Sequence, residues 1–203
     1  MNDPSTDERA TERWEPLTPE QVVDLLRGVE VPWSIAGGWA LDLHLGRPTR
    51  AHRDIEIAVF RSDVEKLCAH LRKWEHYVAS EGTFARWTSA KLPASAHELW
   101  SREKGRDAWM LEILVEECDG DRWVYRRDPS IGALAKDIAR TTASGIPYIR
   151  PDIQLLYKSK GARPVDESDL IAMLPSLDVA QRATLAAWIG KAEPKHRWLE
   201  RLK

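Results

Sequence analysis

The sequence predicts an α+β fold, with a mixed β-sheet core flanked by helices and a smaller helical part after it. Three patterns predict this. Helices and strands alternate through the first third of the chain, from Pro19 to Trp74. The stretch from Tyr77 to Arg127 reads mostly as strand. From Ser130 onward the apolar spacing turns helical, punctuated by Pro147, Pro151, Pro164, Pro175 and Pro194. The boundaries drawn from these patterns are a polar lead-in at 1–17, a core at 18–147 and a C-terminal helical subdomain at 148–203, joined near Gly145 to Pro151.

The first helix is predicted from Pro19 to Gly28. Thr18 is its N-cap, Pro19 takes the first position, and Val22, Val23, Leu25 and Leu26 form an apolar face. Pro32 to Ala36 is a short strand ending at Gly37-Gly38. Trp39 to Leu45 follows as a helix stopped by Gly46 and Pro48. Residues 54–60 alternate strictly, with Ile55, Ile57 and Val59 on one face and Asp54, Glu56 and Ala58 on the other, which is a strand. Asp63 to Trp74 reads as an amphipathic helix capped by Ser62. The clearest later strand is Trp109 to Glu116. Asp119-Gly120-Asp121 then turns it into a hairpin with Arg122 to Arg126. Helices are predicted at Ile131 to Ala139, Pro151 to Lys160, Glu167 to Met173, Ala180 to Gly190 and Lys195 to Leu202.

Bulk properties narrow the function classes. A chain of 203 residues makes one compact domain, or a domain with a helical appendage. Lys and Arg number 30 against 32 Asp and Glu, a net charge of −2, which argues against a strongly cationic nucleic-acid binder and leaves room only for a local basic groove. Two cysteines, Cys68 and Cys118, are too few for a disulfide scaffold and read as reduced thiols of a cytoplasmic protein. No apolar run is long enough for a membrane span, and residues 1–15 lack a hydrophobic signal core. The ten tryptophans are scattered and are expected chiefly in packing, with one or two left to stack on a base or sugar.

Two features carry chemistry. Gly37-Gly38 between a strand and a helix lets the backbone approach a ligand, and the helix start aims N–H groups at an anion. Asp54 and Glu56, two apart on a strand, point to one side, where a divalent cation would supply the counter-charge. Each alone has a plain alternative, a tight turn for the first and a solvent-facing acid pair for the second. Their combination, with a cationic loop between them, points to metal-bound phosphate. Arg47, Thr49, Arg50 and His52 can add phosphate donors. A third carboxylate is expected from a neighbouring strand, completing a two-metal site or acting as the general base that activates the acceptor hydroxyl. Glu112 is the first candidate, Glu116 shares its face, and Glu117 and Asp121 lie nearer the turn. Asp42 is read as orienting Arg47 or Arg50. His44, His70, His76, His97 and His196 have neither metal spacing nor triad context.

The run Ala36-Gly37-Gly38-Trp39-Ala40-Leu41-Asp42, followed by Leu45-Gly46-Arg47-Pro48-Thr49-Arg50-Ala51-His52-Arg53-Asp54-Ile55-Glu56, resembles the aminoglycoside O-nucleotidyltransferases of the 2"-adenylyltransferase type. These belong to the polymerase-β-like nucleotidyltransferase superfamily. The resemblance implies a nucleotidyltransferase fold that binds an NTP, ATP first, with Mg²⁺ or Mn²⁺. It matches Gly37 and Gly38 to the phosphate-binding turn, Asp54 and Glu56 to the two metal acids, and Glu112 to the third acid. The second acid is more often Asp, so Glu56 is one methylene longer. Residues 149–158 and 166–170 look like the helical segment of related uncharacterised nucleotidyltransferases, whose helix lysine, here Lys158, is expected to reach the triphosphate, with Asp169 as a helix-positioning residue. The implied function is transfer of a nucleoside monophosphate to a hydroxyl of a small, aminoglycoside-like acceptor, with Glu116, Glu117, Asp119 and Asp121 available to its amines. Two alternatives stand beside it: a toxin-like enzyme modifying tRNA or protein, and a non-catalytic nucleotide-binding module.

Overall fold

The computed structural model describes residues 13–80, 83–88 and 91–203. Its contacts divide the chain into two compact units, each assembled from separate segments. The first is Met1–Ile35 with His52–Glu116, and the second is Ala36–Ala51 with Glu117–Lys203. Six α-helices lie among the described residues, and the fold is α+β with a mixed sheet, as the sequence predicts.

The first unit is built on a six-stranded sheet. Its strands are β1 (Trp33–Ile35), β2 (Glu56–Phe60), β3 (Trp74–Ser80), β4 (Thr83–Arg86), β5 (Glu98–Glu103) and β6 (Leu111–Asp119, whose last residues fall in the second unit), in the order β4-β3-β5-β6-β2-β1. Only β2 and β6 run parallel; the other neighbours are antiparallel. The β2–β6 register sets Ile57 beside Ile113 and Val59 beside Val115. With Ile55 and Leu111 these form an apolar face in which no residue is more than 3% exposed. Helices α1 (Pro19–Leu25) and α3 (Val64–His70) belong to this unit. α1 starts as predicted, with Pro19 at its first position and a reciprocal capping box between Thr18 and Gln21. Trp14, Tyr77, Phe84, Trp100 and Trp109 pack edge-on or tilted against one another, with centroids 4.8–5.6 Å apart.

The second unit holds α2 (Gly37–Leu45), α4 (Pro151–Ser159), α5 (Pro164–Met173) and α6 (Val179–Ala192). Two small antiparallel pairs accompany them: β7 (Arg122–Val124) with β8 (Gly132–Leu134), and β9 (Ala139–Thr141) with β10 (Pro147–Ile149). Helix α4 is the hub, packing on α2, α5 and α6.

Several predicted elements change. Residues 131–139 are not a helix; they form β8, a 3₁₀ turn at Ala135–Asp137 and the start of β9. Strand pairing overrides the spacing there, since β8 approaches β7 so closely that a Cβ on Gly132 would come within 2.4 Å of the Trp123 carbonyl oxygen. The predicted helix 63–74 is α3 alone, because Trp74 already begins β3, and Ser62 lies in a 3₁₀ turn rather than capping. Residues 195–202 contain only the 3₁₀ turn Arg197–Glu200. Helix α2 starts at Gly37, two residues early, and β2 starts at Glu56, so Asp54 precedes the strand. Trp109 lies before β6 and joins the aromatic cluster instead of the Leu111 row.

A buried polar pair in the first unit yields a stability test. His76 on β3 faces Ser101 on β5, with Nδ1 2.9 Å from the serine hydroxyl. Both residues are buried, and among the described residues the His76 Nε2 has no hydrogen-bond partner. Burial, reinforced by Lys104 and only partly offset by the Leu71 backbone, pushes His76 from 6.5 down to about 4. The unfolded chain therefore binds a proton that the native protein refuses. Stability is full above 6.5 and is lost as the pH falls toward 4. Urea unfolding between those pH values should show this group contributing a loss on the order of 3 kcal/mol, absent in His76→Gln. Parallel pH–stability curves for the two proteins would contradict the assignment.

Candidate active site

The sheet of the first unit gathers the acidic residues. On β2 the apolar face fixes which way the strand is turned, so Glu56 and Ala58 point to the opposite side. The parallel ladder sets Glu56 directly beside Glu112 on β6, and the Glu112 N–H donates to the Ile55 carbonyl at 2.9 Å. Neighbouring strands lie about 4.8 Å apart, so two carboxylates occupy adjacent places on one sheet face. Glu56 is half-buried and Glu112 is buried, with Trp100 in register on its other side. Glu116, also buried, follows four residues later on the same face. Asp54 stands two residues before Glu56 and is half-buried, 3.6 Å from the Arg53 guanidinium. His52, half-buried, precedes them. The donor set suits a hard cation, being all carboxylate oxygen. Among the described residues no three or more His, Cys, Asp or Glu side chains form a metal cage of their own. Mg²⁺ typically takes one or two carboxylates and completes its octahedron with substrate phosphate and water.

The second unit carries the glycine turn. Gly37 has φ +64°, a left-handed conformation that suits glycine. It opens α2, whose N-cap, Ala36, offers no side-chain acceptor. The Gly37 N–H instead donates to Gln154 Oε1 at 2.8 Å. Ala40 N–H, bonded to Ala36 O at 3.2 Å, closes the first turn. Gly46, at φ +65°, ends the helix and starts the cationic loop, as expected.

That loop is held from below by buried carboxylates. Asp42, 4% exposed, accepts from the Thr49 N–H at 3.1 Å and the Thr49 hydroxyl at 2.5 Å. Arg50, one of the two arginines that Asp42 was expected to orient, has a further buried partner. Arg50 forks onto Asp169 of α5 at 2.9 and 3.1 Å. Lys158 of α4 reaches the same carboxylate at 2.9 Å and Asp166 at 3.3 Å. Lys158 is therefore a nearly enclosed ion-pair partner, its side chain 9% exposed. Arg163 completes the group on Asp166. Burial raises both carboxyls, but hydrogen bonds and charge from Arg50 and Lys158 for Asp169, and from Arg163 and Lys158 for Asp166, outweigh it and hold both below the usual range. Arg47 is exposed.

The remaining candidates lie as follows. His196 is buried, with Nε2 donating to the Ser159 carbonyl and Nδ1 accepting from Trp198 N–H. His44 contacts the Tyr148 hydroxyl at 3.3 Å, and burial, then Arg140, keeps it below its ordinary value despite Asp152. Both cysteines are free thiols, and burial pushes Cys68 up to about 12. Asp119 and Asp121 are exposed around the β6–β7 turn, and Glu117 is half-buried. Sequence reasoning missed Gln154, and its spacing four residues before Lys158 on one helix was the available signal.

Residues 20–97 match the model of the family described as Aminoglycoside-2''-adenylyltransferase. That stretch contains Gly37, Gly38, Asp54 and Glu56, and the resemblance read from the motif is borne out. No curated protein matches the chain. Among solved structures, the lincosamide antibiotic adenylyltransferase LnuA, lincomycin-bound, is similar at TM-score 0.52 and 18% identity, over 85% of this chain and 98% of that one. ANT(2")-Ia in complex with adenylyl-2"-tobramycin is similar at TM-score 0.55 and 15% identity, over 92% and 99%. The solution structure of the antibiotic-resistance factor ANT(2'')-Ia gives TM-score 0.54 at 16% identity, over 90% and 92%. The chain has the nucleotidyltransferase fold.

The ion-pair group in the second unit has a measurable consequence. Removing one member of a buried set leaves the others without compensation, which typically costs about 3–5 kcal/mol. Asp169→Asn should lower the unfolding free energy by about 3 kcal/mol in urea titrations at neutral pH. A loss under about 1 kcal/mol would show that Arg50 and Lys158 find water or other partners without cost.

Proposed function

We propose that the protein is a metal-dependent nucleotidyltransferase that moves a nucleoside monophosphate, AMP first, from an NTP to a hydroxyl of a small acceptor. The observation that carries this reading is the register of Glu56 with Glu112, joined to a family match that spans the glycine turn and both motif acids. Asp54 and Glu56 would hold the divalent cation, with Glu112 beside them. When bound, the metal supplies charge neutralisation at the phosphates. Gly37 and Gly38 present the turn to the triphosphate, and Arg47 and His52 add donors, whereas Thr49, expected to do the same, donates its N–H and its hydroxyl proton to Asp42 and orders the loop instead. Lys158, as the ion-pair partner of Asp166 and Asp169, serves the same end by fixing Arg50 and the loop that carries Thr49.

In the transfer step the acceptor hydroxyl oxygen bonds to the α-phosphorus. The bond from that phosphorus to the bridging oxygen of the β-phosphate breaks, and pyrophosphate leaves. The hydroxyl proton passes to a carboxylate oxygen of Glu112. Transfers of this kind need positioning and charge neutralisation more than covalent help from the protein. The acceptor class is supported by similarity to enzymes whose solved complexes contain lincomycin or an adenylylated tobramycin. Glu116, buried on the same face as Glu112, is the acid we assign to an acceptor amine or hydroxyl.

Incubation with each α-labelled NTP, Mg²⁺ and a panel of aminoglycosides, lincosamides and bulk tRNA tests the reading. Label should pass from ATP to a small antibiotic. Label on tRNA alone would overturn the acceptor class, and no transfer to any acceptor would overturn the activity. Asp54→Asn should abolish transfer with the fold intact. Glu112→Gln should lose about 10²–10⁴ in turnover while still binding metal and NTP. Full activity in Glu112→Gln would remove it as the base.

A further inference from the structure

Gln154 and Lys158 stand one helical turn apart on α4, so they share a face. Both serve the segment 36–51. Lys158 shares Asp169 with Arg50, near the segment's end. Gln154 meets its beginning, where its Oε1 accepts the Gly37 N–H. We propose that Gln154 is a positioning residue for nucleotide binding, fixing the glycine turn before the phosphates arrive. This rests on the nucleotidyltransferase reading above.

The argument starts from the helix end. An α-helix leaves its first N–H groups without intrahelical partners. Gly37 is the first helical residue, where an N-cap side chain does not reach, so its donor depends on an acceptor from elsewhere. Gln154 is that acceptor, 6% exposed and on another helix. Gly37 at φ +64° has the conformational freedom of glycine, and such a turn wanders unless its surroundings define it. One buried bond from a packed helix defines it. The bond also divides the labour between the two glycines. Gly37 shapes the turn and spends its N–H inward on Gln154, so phosphate contact falls to the amides that follow, Gly38 first.

The amide side chain is the chemically apt choice. A carboxylate of the same length would accept the same bond but place a negative charge at a turn meant for a triphosphate. A Met or Leu would fill the volume and leave the Gly37 N–H buried without a partner. A neutral carbonyl oxygen satisfies the turn and leaves its field positive.

The test is Gln154→Met, which keeps the length and removes the acceptor. Wild type and variant are titrated with a fluorescent ATP analogue and Mg²⁺, and the KM for ATP is measured beside kcat. The expected result is about a tenfold weaker nucleotide affinity, matched by the rise in KM, because the turn then loses order that binding must restore. Unchanged affinity in a folded variant overturns the assignment while leaving the proposed activity standing. A wild type that binds no nucleotide overturns the activity and this inference with it. If Gln154→Met does not fold, hydrogen exchange of the Gly37 amide in nucleotide-free wild type decides. Slow exchange is expected, and exchange at an unprotected rate overturns the bond.

Discussion

Like charges directly opposite on neighbouring strands repel, and Glu56 beside Glu112 is such a pair. The sheet cannot relieve this by sliding. Ile55, Ile57, Val59, Leu111, Ile113 and Val115 are all buried on the reverse face. A one-residue slip of either strand would turn its half of that row outward. The hydrophobic core thus enforces the juxtaposition of the acids, and the candidate site depends on it. The two carboxylates are thereby kept on one sheet face, where the proposed cation would meet them.

The second unit solves a different problem, holding a glycine turn and a cationic loop on a small helical scaffold. Two buried aspartates, Asp166 and Asp169, face Lys158, Arg50 and Arg163. Each charge is costly alone, and the set is tolerable only together. Asp42 does the same for Thr49 through one carboxylate oxygen. Helix α4 links these devices, bracing the start of the segment with Gln154 and its end with Lys158. Such preorganisation lowers the ordering cost of binding a flexible polyphosphate.

Much of this was legible in the residues. The alternation in 56–60 and in 111–116 gave the correct faces, because an apolar row buried against a core has period two whatever the neighbours are. Thr18-Pro19 and Gly46 marked helix ends through local chemistry alone. The region 131–139 misled, because Ile131 and Ile138 are spaced as on a helix but are buried just before the short paired strands β8 and β9. Pairing partners distant in sequence decided the outcome, and no local signal carries them. For the same reason the boundaries at 17/18 and 147/148 were drawn linearly, whereas contacts group segment 36–51 with 117–203. Lys158 was legible as a special cation. Its engagement with Asp166 and Asp169 depends on the packing of α4 against α5, which the sequence does not state. Trp100, Trp123 and Trp198 are fully buried, as expected of packing residues.

The central claim is that the acids enforced by the β2–β6 register bind a divalent cation together with nucleotide. Mn²⁺ is the direct probe, since its electron paramagnetic resonance signal reports free ion. Titrating the protein with Mn²⁺, with and without a non-hydrolysable ATP analogue, should show weak binding alone and markedly tighter binding with the nucleotide. That gain should vanish in Glu56→Gln. Mn²⁺ affinity indifferent to the nucleotide, or a nucleotide-linked gain that survives Glu56→Gln, would contradict the account.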